Sequence, residues 1–309
     1  MAGSGKIVII GAGHVGSHCA SALAWAEAAN DIVLVDRVSE KARAQTLDLS
    51  DALSFPPRPV SVRSGDYAEA ADADIVIIAI GEPRRPGQTR LDLFDVSLRL
   101  LDDLMASLLP LKLSGVAITI TNPADVVADF VRRSLGLPRE RCFGTGTLLD
   151  TARFVRLLSE GSGVPRSAVE GLVLGEHGDS SVPVFSRVGL AGLPFSEYPK
   201  LDREELTRGT RQAGMDVVIG KGSTEFGIGQ VTATLCSALL SGQGGVFPLS
   251  AALEGEYGQT GIHAGVLCKI GKNGIEEIIE VELDTDERAA FAASCAVIRS
   301  YVDQARKRA

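Results

Sequence analysis

The segment KIVIIGAGHVG, residues 6–16, constrains this chain more than any other stretch. A short apolar run meets glycines at 11, 13 and 16, residues at helical spacing follow, and Asp36 closes the next apolar run 20 residues after Gly16. Strand, glycine turn, helix and a second strand tipped by an acid make up the unit that holds a dinucleotide. Gly11 allows the tight turn, Gly13 lets the main chain approach a pyrophosphate, and Gly16 lets the helix pack closely, its N-terminus facing the phosphate charge. Glycines that serve only a turn are the competing reading, and strand, helix and acid in register weigh against it. His14 and Val15 fall inside the same cofactor loop, and His14 reads as incidental to the chemistry.

Asp36 is placed to accept hydrogen bonds from both ribose hydroxyls and to repel a 2′-phosphate, which favours NAD over NADP; the neighbouring Arg37 pulls the other way. Strand-length apolar runs recur at residues 6–10, 32–35, 60–62, 75–80 and 116–120, separated by helix-length segments such as 13–29 and 39–53. Runs such as KIVII and DIVIIAI lack inside–outside alternation, as in strands covered on both faces. The first half therefore reads as a doubly wound parallel sheet of the Rossmann type. Beyond about Cys142 the pattern changes to a helix at 148–159, strand-like pieces at 172–174, 182–188, 265–270 and 275–281, and a terminal helix at 286–306. The expected fold class is α/β: a dinucleotide-binding domain over residues 1–143, then a mixed α+β substrate domain over 144–309, with a cleft between them.

The bulk composition narrows the partners. Thirty-one Lys and Arg against 39 Asp and Glu leave a net charge of -8, the wrong sign for neutralising nucleic-acid phosphates or binding an anionic membrane. An anionic small molecule would have to be captured by a few local arginines. Five scattered cysteines with no CxxC pair read as buried reduced thiols, and no metal site is expected. No apolar stretch reaches the roughly 18 residues that span a bilayer, and the first residues do not form a signal peptide, so a cytoplasmic protein is expected.

Two segments carry the chemistry. D150-T-A-R153 places an acid and an arginine on one helical face, and G175-E-H177-G-D179 supplies a histidine. Reducing a carbonyl needs a proton donor, a cation for a carboxylate and a carboxylate to hold the donor's imidazolium, and these three residues supply that set. Taken alone, a histidine between glycines is more often a turn residue, and a helical Asp/Arg pair is more often a surface ion pair.

These segments, together with GAGHVG, ITNP, RRPGQTRLDL, GTGTLLDTARF and KGST, closely resemble the L-lactate/malate dehydrogenase family over essentially the whole chain, in the same order. The resemblance implies NAD as cofactor and a small 2-oxo or 2-hydroxy acid as substrate. It makes His177 the acid/base, Asp150 the carboxylate that orients it, and Arg153 the two-pronged partner of the substrate C1 carboxylate. Asn122 of ITNP matches a residue that contacts the reacting region and the nicotinamide side, and Gly81 belongs with the cofactor contacts. Arg90 closes a segment bracketed by Gly81, Pro83, Pro86 and Gly87, which matches a lid that brings its arginine onto the carbonyl and excludes water.

Substrate choice divides the motifs. Arg84 stands where malate-type enzymes carry the arginine that pairs with a second carboxylate, whereas GEHGDS and Thr224 are of lactate type. A charge left unpaired against a methyl costs about 1–3 kcal/mol, so appreciable oxaloacetate reduction is expected from a lactate-type lineage. Family members activated by fructose 1,6-bisphosphate typically have an Arg and a His where this chain has Val155 and Glu170, so no such activation is expected. The family forms dimers or tetramers, which makes a homodimer or homotetramer the expectation here. The competing classes are an NAD-dependent glycosidase, which needs a metal-holding Cys where this chain reads ITNP, and a non-catalytic NAD-binding protein, which would not need the full set of Arg90, Asp150, Arg153 and His177.

Overall fold

The computed structural model describes residues 5–81 and 90–307, with the main chain alone for 90–96. The first half alternates strand and helix: β1 (Lys6–Ile10), α1 (His14–Trp25), β2 (Asp31–Val35), α2 (Ser39–Leu53), β3 (Ser61–Ser64), β4 (Ile75–Ile78), α3 (Arg90–Leu108), β5 (Val116–Thr119), α4 (Ala124–Leu135) and β6 (Cys142–Gly144). Every pairing among these six strands is parallel. β4 and β5 are buried along their whole length, as their uninterrupted apolar sequence requires. The order β6-β5-β4-β1-β2-β3 reverses direction between β4 and β1, so the carboxyl ends of those strands open a crevice for a ligand.

The second half begins with α5 (Leu148–Ser162) and five strands of two residues each: β7 (Val169–Glu170), β8 (Val173–Leu174), β9 (Val182–Pro183), β10 (Gly189–Leu190) and β11 (Leu193–Pro194). Then follow α6 (Arg203–Lys221), α7 (Phe226–Ser241), β12 (Gly245–Glu254), β13 (Thr260–Gly271), β14 (Gly274–Ile279) and α8 (Thr285–Arg306). The architecture is thus a doubly wound parallel sheet followed by a mixed α/β region. The last three strands do not form a separate sheet. They extend the first one antiparallel, joined through one registered pair, Ser250 opposite Gly144.

Two apolar runs end sooner than their sequence suggests. The run at 182–188 is paired only over Val182–Pro183; Pro183 has no N–H to continue a ladder, and a 3₁₀ turn, Phe185–Arg187, follows. α1 stops at Trp25 instead of reaching residue 29, because Glu27 adopts φ +50° and turns the chain into β2.

One large core runs through both halves, from Ile7, Val33 and Ile77 to Val266, Phe291 and Ile298. A smaller one, with Phe154, Phe185, Phe195 and Leu206, lies among α5, α6 and the short strands. α1 packs against α7, which joins the cofactor half to the second half. All five cysteines are buried free thiols; burial pushes Cys19, Cys142, Cys268 and Cys295 up to about 12. Among the described residues no helix is long and apolar enough to cross a membrane.

Candidate active site

The crevice begins where β1 ends. Gly11 has φ +108°, and a Cβ there would stand 2.4 Å from the Ala79 carbonyl oxygen. Gly16 faces the same turn, with its missing Cβ 1.8 Å from the Gly11 oxygen. Helix α1 therefore lies as close to the strand as main chain allows. Gly13 is its N-cap and supplies no side-chain hydrogen bond, so the first N–H groups of α1 remain available to an anion. Asp36 Oδ2 accepts from the Ala12 N–H (2.8 Å) and Oδ1 from the Val38 N–H (3.0 Å), which fixes its carboxylate beside this turn.

A residue without a motif lies beside this turn. The Lys41 amine lies 3.7 Å from the position a Cβ would take on Gly13, and it has no hydrogen bond or ion pair among the described residues. An unpaired cation over an uncapped helix N-terminus fits the pyrophosphate end of NAD. Its only sequence signal was a lysine five residues beyond Asp36, in the first turn of α2. Val15 packs against the large core, so its side chain supports the turn. The His14 side chain is 79% exposed, with Nδ1 3.5 Å from Glu225 Oε1. Around Gly81 a Cβ would meet no atom of the described residues within 4 Å.

The structure brings Asp150, Arg153 and His177 together. Asp150 lies in the first turn of α5 and is buried. The ring N–H of His177, at Nδ1, donates to Asp150 Oδ2 over 2.6 Å, and Arg153 Nη1 donates to Oδ1 over 2.8 Å. One carboxylate thus holds the histidine and the arginine together. The negative charge of Asp150 raises the His177 imidazole above its usual range, against the effect of burial. Burial alone would raise the Asp150 carboxyl, but the His177 and Arg153 charges outweigh it and hold the group below the ordinary carboxylate value.

Distant elements hold the GEHGD loop. Gly175, at φ +85°, exchanges two main-chain hydrogen bonds with Gly265 of β13, at 2.9 and 2.7 Å. The Glu176 N–H donates to Ser294 Oγ of α8 (2.8 Å), and the His177 N–H donates to Asp125 Oδ2 of α4 (2.9 Å). Arg153 has room because α6 carries Gly214, where a Cβ would stand 3.1 Å from Nη2. None of Asp125, Gly214, Gly265 and Ser294 had a local motif to mark it.

The other residues expected at the site are placed less fully. The Asn122 main-chain oxygen accepts from Ser97 Oγ at 3.4 Å; among the described residues neither Asn122 nor Thr224 makes a side-chain hydrogen bond. Thr224 lies in the turn between α6 and α7, whose Glu225 binds Lys221 and Ser223 and approaches His14 and His18 of α1. Arg84 lies outside the described residues. Arg90 opens α3, but its side chain also lies outside them. No cluster of His, Cys, Asp and Glu among the described residues is arranged to hold a metal ion.

Comparison with known proteins identifies the family. Residues 5–144 match the family model for the lactate/malate dehydrogenase NAD-binding domain, and residues 147–308 match the model for the α/β C-terminal domain of the same family. An L-lactate dehydrogenase of Fusobacterium nucleatum is 38% identical over 306 residues, covering 96% of each chain. L-lactate dehydrogenase 1 of Staphylococcus aureus is 35% identical, covering 97% of this chain and 96% of that one. Among solved structures, the ligand-bound minor L-lactate dehydrogenase of Enterococcus mundtii superposes with a TM-score of 0.93 at 35% identity, covering 97% of this chain and 98% of that one.

Proposed function

Because the chain belongs to the lactate/malate dehydrogenase family and is an NAD-dependent 2-hydroxy acid dehydrogenase, we propose that His177 is its acid/base, Asp150 the carboxylate that orients it, and Arg153 the clamp for the substrate C1 carboxylate. The observation that carries this assignment is the contact of Asp150 with both His177 Nδ1 and Arg153 Nη1. With Nδ1–H committed to Asp150, Nε2 is the atom left to give a proton to the substrate carbonyl oxygen, or to take one from the hydroxyl in the reverse direction. Arg153 keeps Nη2 and Nε for a carboxylate, and its attachment to α5 fixes the distance between that anion and the imidazole. NADH, when bound, supplies the hydride. Gly11, Gly13, Gly16, Asp36 and Lys41 would hold the dinucleotide, with Gly81 and Asn122 at its nicotinamide side. Arg90 would polarise the carbonyl, and water exclusion by the 81–90 segment would strengthen that field.

For the substrate, pyruvate and L-lactate follow from the relatives' names. Arg84 favours a second activity on oxaloacetate and L-malate, since a guanidinium in the pocket needs an anionic partner. A panel of 2-oxo acids with NADH and NADPH, read as kcat/KM, tests both levels. Turnover retained in His177→Asn removes the catalytic assignment. A kcat/KM for oxaloacetate far below that for pyruvate, with a ratio unmoved by Arg84→Gln, removes the dicarboxylate reading.

Residues 1–143 are proposed as the dinucleotide half and 144–309 as the substrate half. A homodimer or homotetramer is proposed on the exposed apolar side chains of Leu47, Phe55, Met215, Val217, Val218 and Ile219, a set that favours burial against another copy. Val155 and Glu170 favour an enzyme that fructose 1,6-bisphosphate does not activate. A cytoplasmic location fits the buried free thiols.

A further inference from the structure

Asp125 is a buried carboxylate without a basic partner. It stands in the first turn of α4, three residues after Asn122, and is 3% exposed. Oδ2 accepts the His177 main-chain N–H at 2.9 Å, and Oδ1 accepts the Ser250 hydroxyl at 2.6 Å. Among the described residues no lysine or arginine lies within ion-pair distance of it. The charged and titratable groups around it are His177, the acidic Glu176 and, from α8, the Cys295 thiol. Burying an unpaired carboxylate is costly, and a neutral amide could tie the same two partners at lower cost, its oxygen accepting the His177 N–H and its N–H donating to Ser250 Oγ. The negative charge is the property an amide lacks.

We propose that Asp125 is a positioning residue of the proton-transfer site: it holds the His177 main chain against the nicotinamide-side segment Asn122–Pro123 and, as a fixed anion behind the loop, stabilises the protonated imidazole. His177 is then supported by two carboxylates with separate tasks. Asp150 fixes the ring through Nδ1, and Asp125 fixes the main chain and adds field. Because Asn122 and Asp125 flank the start of one helix, the hydride side and the proton side share a rigid mount. Burial pushes the Asp125 carboxyl up to about 6, while the Ser250 hydroxyl and the His177 N–H hold it down. The anion is therefore present at neutral pH and disappears in mild acid, where a protonated Oδ1 would donate to Ser250 Oγ and the loop would stay tied.

The proposal rests on His177 being the acid/base, and the variants separate the two claims. The test is the pH dependence of kcat/KM for pyruvate reduction by the full-length enzyme, with the His177 imidazole followed in parallel by ¹⁵N NMR titration. In Asp125→Asn the amide oxygen can accept the His177 N–H while its N–H donates to Ser250 Oγ, so both partners stay tied and only the charge is gone; the alkaline limb and the imidazole titration should move to lower pH by about 0.5 unit or more. Ser250→Ala removes a hydroxyl that keeps Asp125 ionised, so it should move both in the same direction by a smaller amount. This second variant decides the matter if Asp125→Asn does not fold. A lowered kcat with both titrations unmoved would make Asp125 a structural acceptor only and overturn the proposal. Wild-type turnover in His177→Asn would instead defeat the underlying assignment, whatever Asp125→Asn does.

Discussion

The Asp150 carboxylate lies 2.6 Å from His177 Nδ1 and keeps that ring charged more readily than free histidine. With His177 as the proposed acid/base, carbonyl reduction consumes the protonated ring and alcohol oxidation the neutral one. The kcat/KM for a 2-oxo acid should therefore fall as pH rises through a midpoint above 6.5, and that for the 2-hydroxy acid should rise over the same range. Asp150→Asn removes the largest cause of the raised value. It should lower both midpoints and cut kcat/KM about 10²–10⁴-fold, measured as paired forward and reverse pH profiles.

Gly214 makes room for the Arg153 guanidinium. In Gly214→Ala the new methyl would sit 3.1 Å from Nη2 and 3.3 Å from Nη1, so the guanidinium must shift by a few tenths of an ångström. The expected outcome is a KM for the 2-oxo acid raised several-fold with the melting temperature little changed. Arg153→Lys loses the planar fork altogether and should cost about 1.5–3 kcal/mol, or roughly 10–100-fold in kcat/KM. An unchanged KM in both variants would remove Arg153 from the substrate site.

Two glycines of the cofactor crevice should behave oppositely. Gly16→Ala puts a methyl 1.8 Å from the Gly11 oxygen and must push α1 off the strand, so both the melting temperature and NADH affinity should drop. Gly81→Ala meets no atom of the described residues within 4 Å, so stability should hold while the Kd for NADH, read by fluorescence titration, rises several-fold. A wild-type Kd in Gly81→Ala would strike that residue from the cofactor set.

His263 of β13 is fully buried, makes no hydrogen bond within geometric limits among the described residues, and has Nδ1 3.6 Å from Asp129 Oδ1. Burial lowers its pKa below 6.5 despite that carboxylate. The unfolded chain then takes up a proton before the folded one does, so stability held above pH 6.5 is lost as pH falls toward the folded value. Chemical denaturation between pH 7.5 and 5.5 should show this loss, and His263→Gln should flatten the slope. An equally steep slope in the variant would assign the loss to other groups.

What the sequence revealed and what it concealed divide by distance along the chain. Gly11, Gly16 and Asp36 were legible because a turn, a close approach and a strand tip all fall within one supersecondary unit. Asp150 and Arg153 were legible because three residues on a helix share a face. Asp125, Gly214, Gly265 and Ser294 were not, because each acts on a residue at least 52 positions away in sequence and owes its place to packing alone. The extension of the first sheet by β12–β14 was concealed for the same reason. A single pair, Ser250 opposite Gly144, decides it. α6 was overlooked as an element because its second half exposes Val217, Val218 and Ile219, which blurs the helical period.

The anchoring of Gly175 by Gly265 sets a schedule on the ribosome. The loop bearing His177 is translated some 90 residues before the strand that pins it. A nascent chain can complete its dinucleotide crevice early, yet it has no fixed proton donor until β13 and then α8 emerge and fold back onto it. Turnover is therefore among the last properties the growing polypeptide should acquire.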